Sequence, residues 1–233
     1  MKQKTSIDLV KFQKAMNFAA RKDVRYYLLG VCVQPCPQGG AMIVATDGHV
    51  LGAFHDPKGH CEKEIILSLE NKRDIAQFVK EGAVRAVIET TDKEDGEVVQ
   101  FTLYNKHRAE SQHEIRKAWY PKNKALIEGR FPKWEQLMPD ELPEEEKPLV
   151  NGVRVSNLDK FLFDRRAEQR DGHAGIRLYP MGKDEKVVVF VHGEPDFIGI
   201  LMPTKYAQKD KDSWWFKVTH QRTQEALSTK KAA

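Results

Sequence analysis

The sequence predicts an α+β protein, and three observations carry that expectation. Short runs of β-branched and aromatic residues alternate with Gly-, Pro- and Asp-containing turns. Several segments place apolar residues at helical spacing. The order strand, helix, strands recurs about three times along the 233 residues. A chain of this length with 40% hydrophobic residues can bury a substantial core. No stretch approaches ~20 uncharged apolar residues, so no membrane partner is expected. Runs such as Val187-Val188-Val189-Phe190-Val191 argue against a disordered chain. Met1-Lys2-Gln3-Lys4 is not followed by an apolar segment, so a secretory signal is not expected. Three cysteines are too few for a disulfide scaffold, which points to a reducing, cytoplasmic setting. The formal net charge of +4 permits an anionic partner without requiring one.

The first unit opens at Ser6-Ile7-Asp8 and continues as a helix with Leu9, Phe12, Met16 and Ala19 on one face. Lys11 and Lys14 occupy the other face, Arg21 and Lys22 follow, and no acid lies between Leu9 and Lys22. Residues 24–34 read as a strand, 35–40 as a Pro/Gly turn, and 42–46 as the return strand. Asp47-Gly48 marks a tight turn before a strand over 50–54. The second unit repeats the order. A strand covers 64–69, and a helix capped by Asn71 reaches about Glu81 with Ile75, Phe78 and Val79 inward and Lys72, Arg73 and Lys80 outward. Strands at 84–90 and 98–104 flank a polar turn. Pro139, Pro143 and Pro148 bracket Glu144-Glu145-Glu146, a solvated linker and domain boundary. The third unit starts at Val153-Arg154-Val155. Ser156 with Asp159 forms its helix cap, and the helix runs to about Gln169 with Leu158, Phe161 and Leu162 inward. Strands follow at 175–179, 186–192 and 197–202, and then a tail containing Trp214-Trp215-Phe216, which fits an interface anchor as well as a segment folded back on its own core. One basic helix face alone is usually solvated surface; three with few acids shift the odds toward a phosphate backbone.

Catalytic patterns are missing from the sequence. It has no P-loop, no Gly-x-Ser-x-Gly and no His-Glu-x-x-His. Asp47-Gly48-His49 has an acid and an imidazole but no assigned nucleophile, and a structural turn is the better reading. Cys32, Cys36, His60 and Cys61 are the zinc candidates, but mid-strand Cys32 and the adjacent His60-Cys61 pair make a poor ligand set. His192-Gly193-Glu194 lacks the Pro-Cys-x-x-Cys partner of a deaminase site. A non-enzymatic protein with no cofactor or metal is therefore expected.

Four segments in order resemble the bacterial replicative sliding clamp, the β subunit of DNA polymerase III. Val24-Arg25-Tyr26-Tyr27-Leu28-Leu29-Gly30 is similar to the family's "VRYYLNG", with Leu29 where Asn is usual. Ala45-Thr46-Asp47-Gly48-His49-Val50-Leu51 is similar to "ATDGHRL", with Val50 for Arg. Ile127-Glu128-Gly129-Arg130-Phe131-Pro132 resembles "IDGRFP", and Ile200-Leu201-Met202-Pro203 resembles "VVMP". Residues 1–140 resemble the complete middle domain. Residues 151–206 resemble the second half of the last domain, 141–150 is the linker, and 207–233 is a tail beyond the family's usual end.

The resemblance implies clamp-type domains, with curved antiparallel sheets and helices on one face. It implies a sliding clamp or processivity factor that tethers a DNA polymerase to double-stranded DNA, in a compact form of phage type. A peptide-binding groove for proteins with clamp-binding motifs would be lined by Leu28, Thr46, Gly48, His49, Leu51, Pro132, Leu137, Ile200, Met202, Pro203 and Thr204. Val50 and Leu29 would alter its rim. Lys11, Lys14, Arg21, Lys22, Lys72 and Arg73 would face DNA phosphates without reading bases. Family rings are closed from repeated units, so three units per chain imply a homo-oligomer ring, placed on DNA by a clamp loader if one exists. The alternative is a monomeric clamp mimic or adaptor that binds replication proteins without encircling DNA.

Overall fold

A computed structural model describes residues 4–68, 70, 72–93, 96–106, 112–144, 152–163, 175–182 and 185–204. Twelve strands among them form two antiparallel sheets. β1 (Lys4–Asp8), β5 (His60–Cys61), β7 (Ala83–Lys93), β8 (Gly96–Lys106) and β9 (Gln112–Pro121) make a five-stranded sheet ordered β5-β1-β7-β8-β9. The seven-stranded sheet is ordered β10-β11-β12-β4-β3-β2-β6. Its strands are β2 (Gly30–Pro35), β3 (Ala41–Thr46), β4 (Val50–Asp56), β6 (Ile65–Ser68), β10 (Ile176–Pro180), β11 (Val187–Val191) and β12 (Phe197–Leu201). The helices are α1 (Leu9–Ala15), α2 (Lys72–Lys80) and the short α3 (Lys122–Ala125) and α4 (Val155–Leu158).

Periodicity explains the layers. Along β4 the side chains alternate: Val50 and Phe54 enter one apolar cluster, while Leu51 and Ala53 enter a second on the opposite face. The first cluster lies beneath α1 and α2, where Leu9, Phe12, Ala15, Ile75 and Phe78 meet both sheets. The second covers the outer face of the seven-stranded sheet. Asp8 starts α1 by accepting from the amides of Val10 and Lys11 at 2.9 Å each, which satisfies two otherwise unpaired donors. A buried bidentate ion pair joins the sheets: both guanidinium nitrogens of Arg85 on β7 lie 3.1 Å from Asp56 of β4.

β12 of the third unit pairs directly with β4 of the first, so one sheet runs continuously through both. Gly52 and Gly199 face each other across this seam. A Cβ on Gly52 would stand 2.4 Å from Phe18, and one on Gly199 would stand 2.4 Å from Phe161. The two glycines therefore open a slot that two aromatic rings fill.

Several elements differ from the sequence expectation. α1 ends at Ala15, because the next amides bond three or four residues back and the chain drops Phe18 over Gly52. Residues 24–34 are not one strand: Asp23 accepts from the Arg25 amide at 2.8 Å, and a 3-10 turn over Tyr26–Leu29 precedes β2. β9 went unrecognised because its charged run reads as loop; charge is how exposed edge strands resist mispairing. In the third unit the helix begins after Arg154 with no side-chain cap, so Ser156 does not cap it. Leu162 is exposed, and Asn157 is buried instead. The remainder of that helix to Gln169, the Asn71 cap and the tryptophan tail lie outside the described residues.

Candidate functional site

Hydrogen-bond register places the expected groove residues. Thr46 pairs with Leu51, Leu51 with Ile200, Ile200 with Val188, and Val188 with Tyr179. These five side chains form one row across β3, β4, β12, β11 and β10 on the outer face. Leu28, Leu51 and Ile200 are buried in that face's cluster with Phe131 and Trp134. Trp134 lies on a 3-10 turn, Trp134–Leu137, and its indole donates to Gln34 Oε1 at 3.3 Å. The turn thus straps residues 131–138 onto the sheet.

Two of the expected groove residues present apolar surface. Met202 and Leu137 are each 41% exposed. The Met202 amide donates to the His49 carbonyl at 2.9 Å, continuing the β12–β4 ladder, so by alternation its side chain shares the face of Ile200. Pro132 is exposed, and Pro203 and Thr204 are half-buried, with the Thr204 amide bonded to the Gly152 carbonyl at 2.8 Å.

Polar members of the set are engaged in the β3–β4 turn. The Thr46 hydroxyl donates to the Val50 carbonyl at 2.7 Å and accepts from the Gly48 amide at 3.0 Å. Gly48 has φ +88°, which favours glycine, and Arg25 lies against it. His49 is exposed. Asp47 accepts from the amides of His49 and Val50 and from Lys160 Nζ at 2.5 Å. Burial would raise the Asp47 carboxyl, but Lys160 and the two amides together outweigh it and hold the group below its ordinary value. Asp47 is therefore a turn and seam residue.

Sequence reasoning missed most of the half-buried rim. Met42, Met138, Met181, Tyr179, Phe190 and Ile198 all pack on the outer cluster without being fully buried. The signal was available: a strand written Val-Val-Val-Phe-Val is apolar on both faces, so its outer face needs a cover or a partner. With Met202, four methionines frame this surface, a composition that adapts to varied ligands.

The opposite, helical side carries the second candidate surface. A concavity of 2880 Å³ is lined by Val10, Gln13, Lys14 and Asn17 of α1 and its following turn, by Lys72, Arg73, Ala76 and Lys80 of α2, by Arg21 and Lys22, and also by acidic residues, among them Asp23, Glu70, Glu97 and Glu128. That volume exceeds the ~300–1,000 Å³ of small-molecule sites several-fold, so it suits a macromolecule. Arg21, Lys22, Lys72 and Arg73 are exposed, and none of them forms an ion pair with a described residue. Lys11 and Lys14 differ. Lys11 Nζ bonds the His55 carbonyl at 2.6 Å and Asp196 at 2.7 Å, and Lys14 pairs with Glu194. Both cations are held by the β11–β12 connection. Lys80, omitted from the expected set, joins the lining.

The zinc candidates do not converge on one point. Cys32 belongs to the outer cluster and Cys61 to the inner one, and burial raises both thiols. Among the described residues no group of three or more His, Cys, Asp or Glu is placed to hold a metal ion. Nor is any described helix long and apolar enough to cross a membrane.

Two antiparallel sheets, helices on the concave side and a sheet continuous between units make up a fold that solved bacterial sliding clamps share. Comparison with solved structures gives that fold its particular form. The chain is similar to the DNA polymerase III subunit beta of Bartonella birtlesii bound to griselimycin, with TM-score 0.58 and 13% identity over 88% of this chain and 66% of that one. It is similar to the beta subunit of Thermotoga maritima, with TM-score 0.57 and 12% identity over 88% and 66%. The Pseudomonas aeruginosa sliding clamp with ligand gives TM-score 0.53 and 17% identity over 88% and 66%. The chain thus spans about two thirds of the length of the clamps it matches. No family model matches it, and no curated protein does.

Proposed function

We propose that this protein is a non-enzymatic clamp-type processivity factor that holds a DNA polymerase on duplex DNA. The observation that carries the reading is the two-sidedness of the molecule. On the concave helical side Arg21, Lys22, Lys72 and Arg73 form no ion pair with a described residue, while a methionine-framed apolar row covers the outer face of the sheet behind it. Backbone phosphates suit the first surface, because Arg and Lys without a fixed hydrogen-bond pattern bind in a salt-sensitive, sequence-independent way. A short peptide with leucine or aromatic anchors suits the second, bounded by Leu137 on the strap and Met202 at the end of β12. In this reading residues 1–140 form one complete clamp-type domain, 151–206 form half of another, and several chains close a ring.

The test is duplex binding followed by anisotropy across a salt series. With Arg21, Lys22, Lys72 and Arg73 all replaced by Ala, the log–log salt slope should fall by about 3–4, at roughly 0.9 per phosphate contact. An unchanged slope refutes the DNA-facing assignment. A second reading, a monomeric adaptor that does not encircle DNA, is favoured by the internal pairing of Lys11 and Lys14. Light scattering separates the two: a closed oligomer supports the ring, and a monomer at all concentrations supports the adaptor.

A further inference from the structure

We infer that the protein carries its own tethered competitor for the outer-face groove: Trp214-Trp215-Phe216 of its tail. The inference rests on the groove reading above and adds regulation to it. Three observations on separate parts of the chain converge.

The first is where the chain leaves the fold. Ile200 lies in the floor of the outer cluster, Met202 is exposed beside it, and Thr204 is the last described residue. The tail therefore starts at the groove's own edge. Trp214 is ten residues further on, a reach of up to ~33–36 Å. The floor from β12 across β4 and β3 to β2 spans three strand spacings, about 15 Å. The tether covers any point on that floor with slack.

The second is chemistry. Three consecutive aromatic residues are costly to leave in water, and their rings match a surface framed by methionines and by Tyr179 and Phe190. The third is charge. Residues 205–233 hold seven Lys or Arg and three Asp or Glu; nearest the aromatic triplet Lys209, Lys211 and Lys217 stand with Asp210 and Asp212, and the excess of bases is spread along the whole tail. The strap on the groove's other side and the chain that follows it are its complement: residues 131–144 contain Glu135, Asp140, Glu141 and Glu144, all exposed, against the single cation Lys133. An aromatic segment on a net-basic tail, tethered opposite an acidic stretch, is a fitting occupant for this groove.

Tethering makes even a weak contact count. A tether of about ten residues gives an effective concentration of about 1 mM. A tail whose intrinsic dissociation constant is about 0.1 mM would then occupy the groove most of the time and weaken any competing peptide about tenfold. Partner peptides would bind only by displacing it, which suppresses weak or unintended ones.

The experiment uses the full chain. A labelled synthetic peptide of residues 210–219 and a labelled polymerase clamp-binding peptide are each titrated against wild type and against Trp214→Ser/Trp215→Ser/Phe216→Ser. Both peptides should bind the triple variant about tenfold more tightly than wild type. Adding Met202→Asp should abolish the gain, with unchanged circular dichroism showing that the fold survives. Equal affinity of wild type and triple variant for the polymerase peptide overturns the tail inference and leaves the groove reading standing. Binding of the 210–219 peptide alone supports the tail as occupant and removes the polymerase reading. Binding of neither peptide to the triple variant overturns both. A wild-type dimer that the triple variant cannot form overturns docking within one chain and assigns the groove to the tail of a second copy.

Discussion

Gly52→Ala tests the seam on which both surfaces depend. The added methyl would stand 2.4 Å from Phe18 Cδ2, against an optimal carbon–carbon separation of roughly 3.5–4.0 Å. The ring cannot yield easily. Phe18 is fully buried, with its centroid 5.1 Å from Phe161, 5.7 Å from Phe163 and 5.8 Å from Phe197. Overpacking of this kind costs about 1–3 kcal/mol, and the loss of glycine freedom in the unfolded chain returns about 0.4–1 kcal/mol. The net expectation is a destabilisation of about 1–2 kcal/mol by those two principles, read as a lower urea midpoint at unchanged slope. Phe18→Ala should cost more, about 3–5 kcal/mol, because it empties the slot. The decisive measurement is the cycle. In the Phe18→Ala background the clash is gone, so Gly52→Ala should become neutral or stabilising. Equal losses in both backgrounds would show that the ring does not sit on Gly52, and the account of the seam would fall.

Asp56→Asn should lower stability by about 3–5 kcal/mol, because it leaves the Arg85 guanidinium buried beside a neutral amide between the sheets; a loss under about 1 kcal/mol in urea melts, the scale of an exposed pair, would refute that role. Lys160→Met should cost about 1 kcal/mol at pH 7, since its partner Asp47 is mostly shielded. The Asp47 carboxyl is depressed in the fold, so its contribution is complete above the ordinary value of 3.8 and is lost as the pH falls through the lower folded value. The gap between variant and wild type should therefore close as the pH falls below about 4, by the linkage sign of a depressed carboxylate, and a pH-independent gap refutes the pairing.

Much of the architecture was legible because it rests on short-range rules. The inward positions of α1 and α2 follow from helical spacing, and Leu9, Phe12, Ile75 and Phe78 are buried as expected. The Asp47-Gly48 turn follows from a positive φ that glycine tolerates. The misses come from long-range effects. α1 ends early because Phe18 is drawn onto Gly52, and no local signal reports a glycine 34 positions away. β9 hid behind edge charges. Leu28, Leu51 and Ile200 share one cluster but are buried in its floor; the half-buried rim is built by methionines and aromatics whose placement is visible only once strand register is known.

The basic side shows the same limit in electrostatic form. The acid-free stretch from Leu9 to Lys22 reads as four free cations, with Lys72 and Arg73 of α2 added, but sequence proximity counts only neighbours in the chain. Three lysines of the molecule instead bridge the seam: Lys11 to Asp196, Lys14 to Glu194, and Lys160 to Asp47. All three join the first unit to the third, so these charges orient β12 against β4. An ammonium held by a carboxylate must lose that partner before it can engage a phosphate, and such an exchange gains little net energy. The cations left for a polyanion are those on α2 and on the turn after α1, which no described carboxylate neutralises. The same seam that holds Lys11 and Lys14 on Asp196 and Glu194 sets Ile200 beside Leu51. Loss of the seam would therefore separate the two halves of the apolar row and release two cations on the helical side.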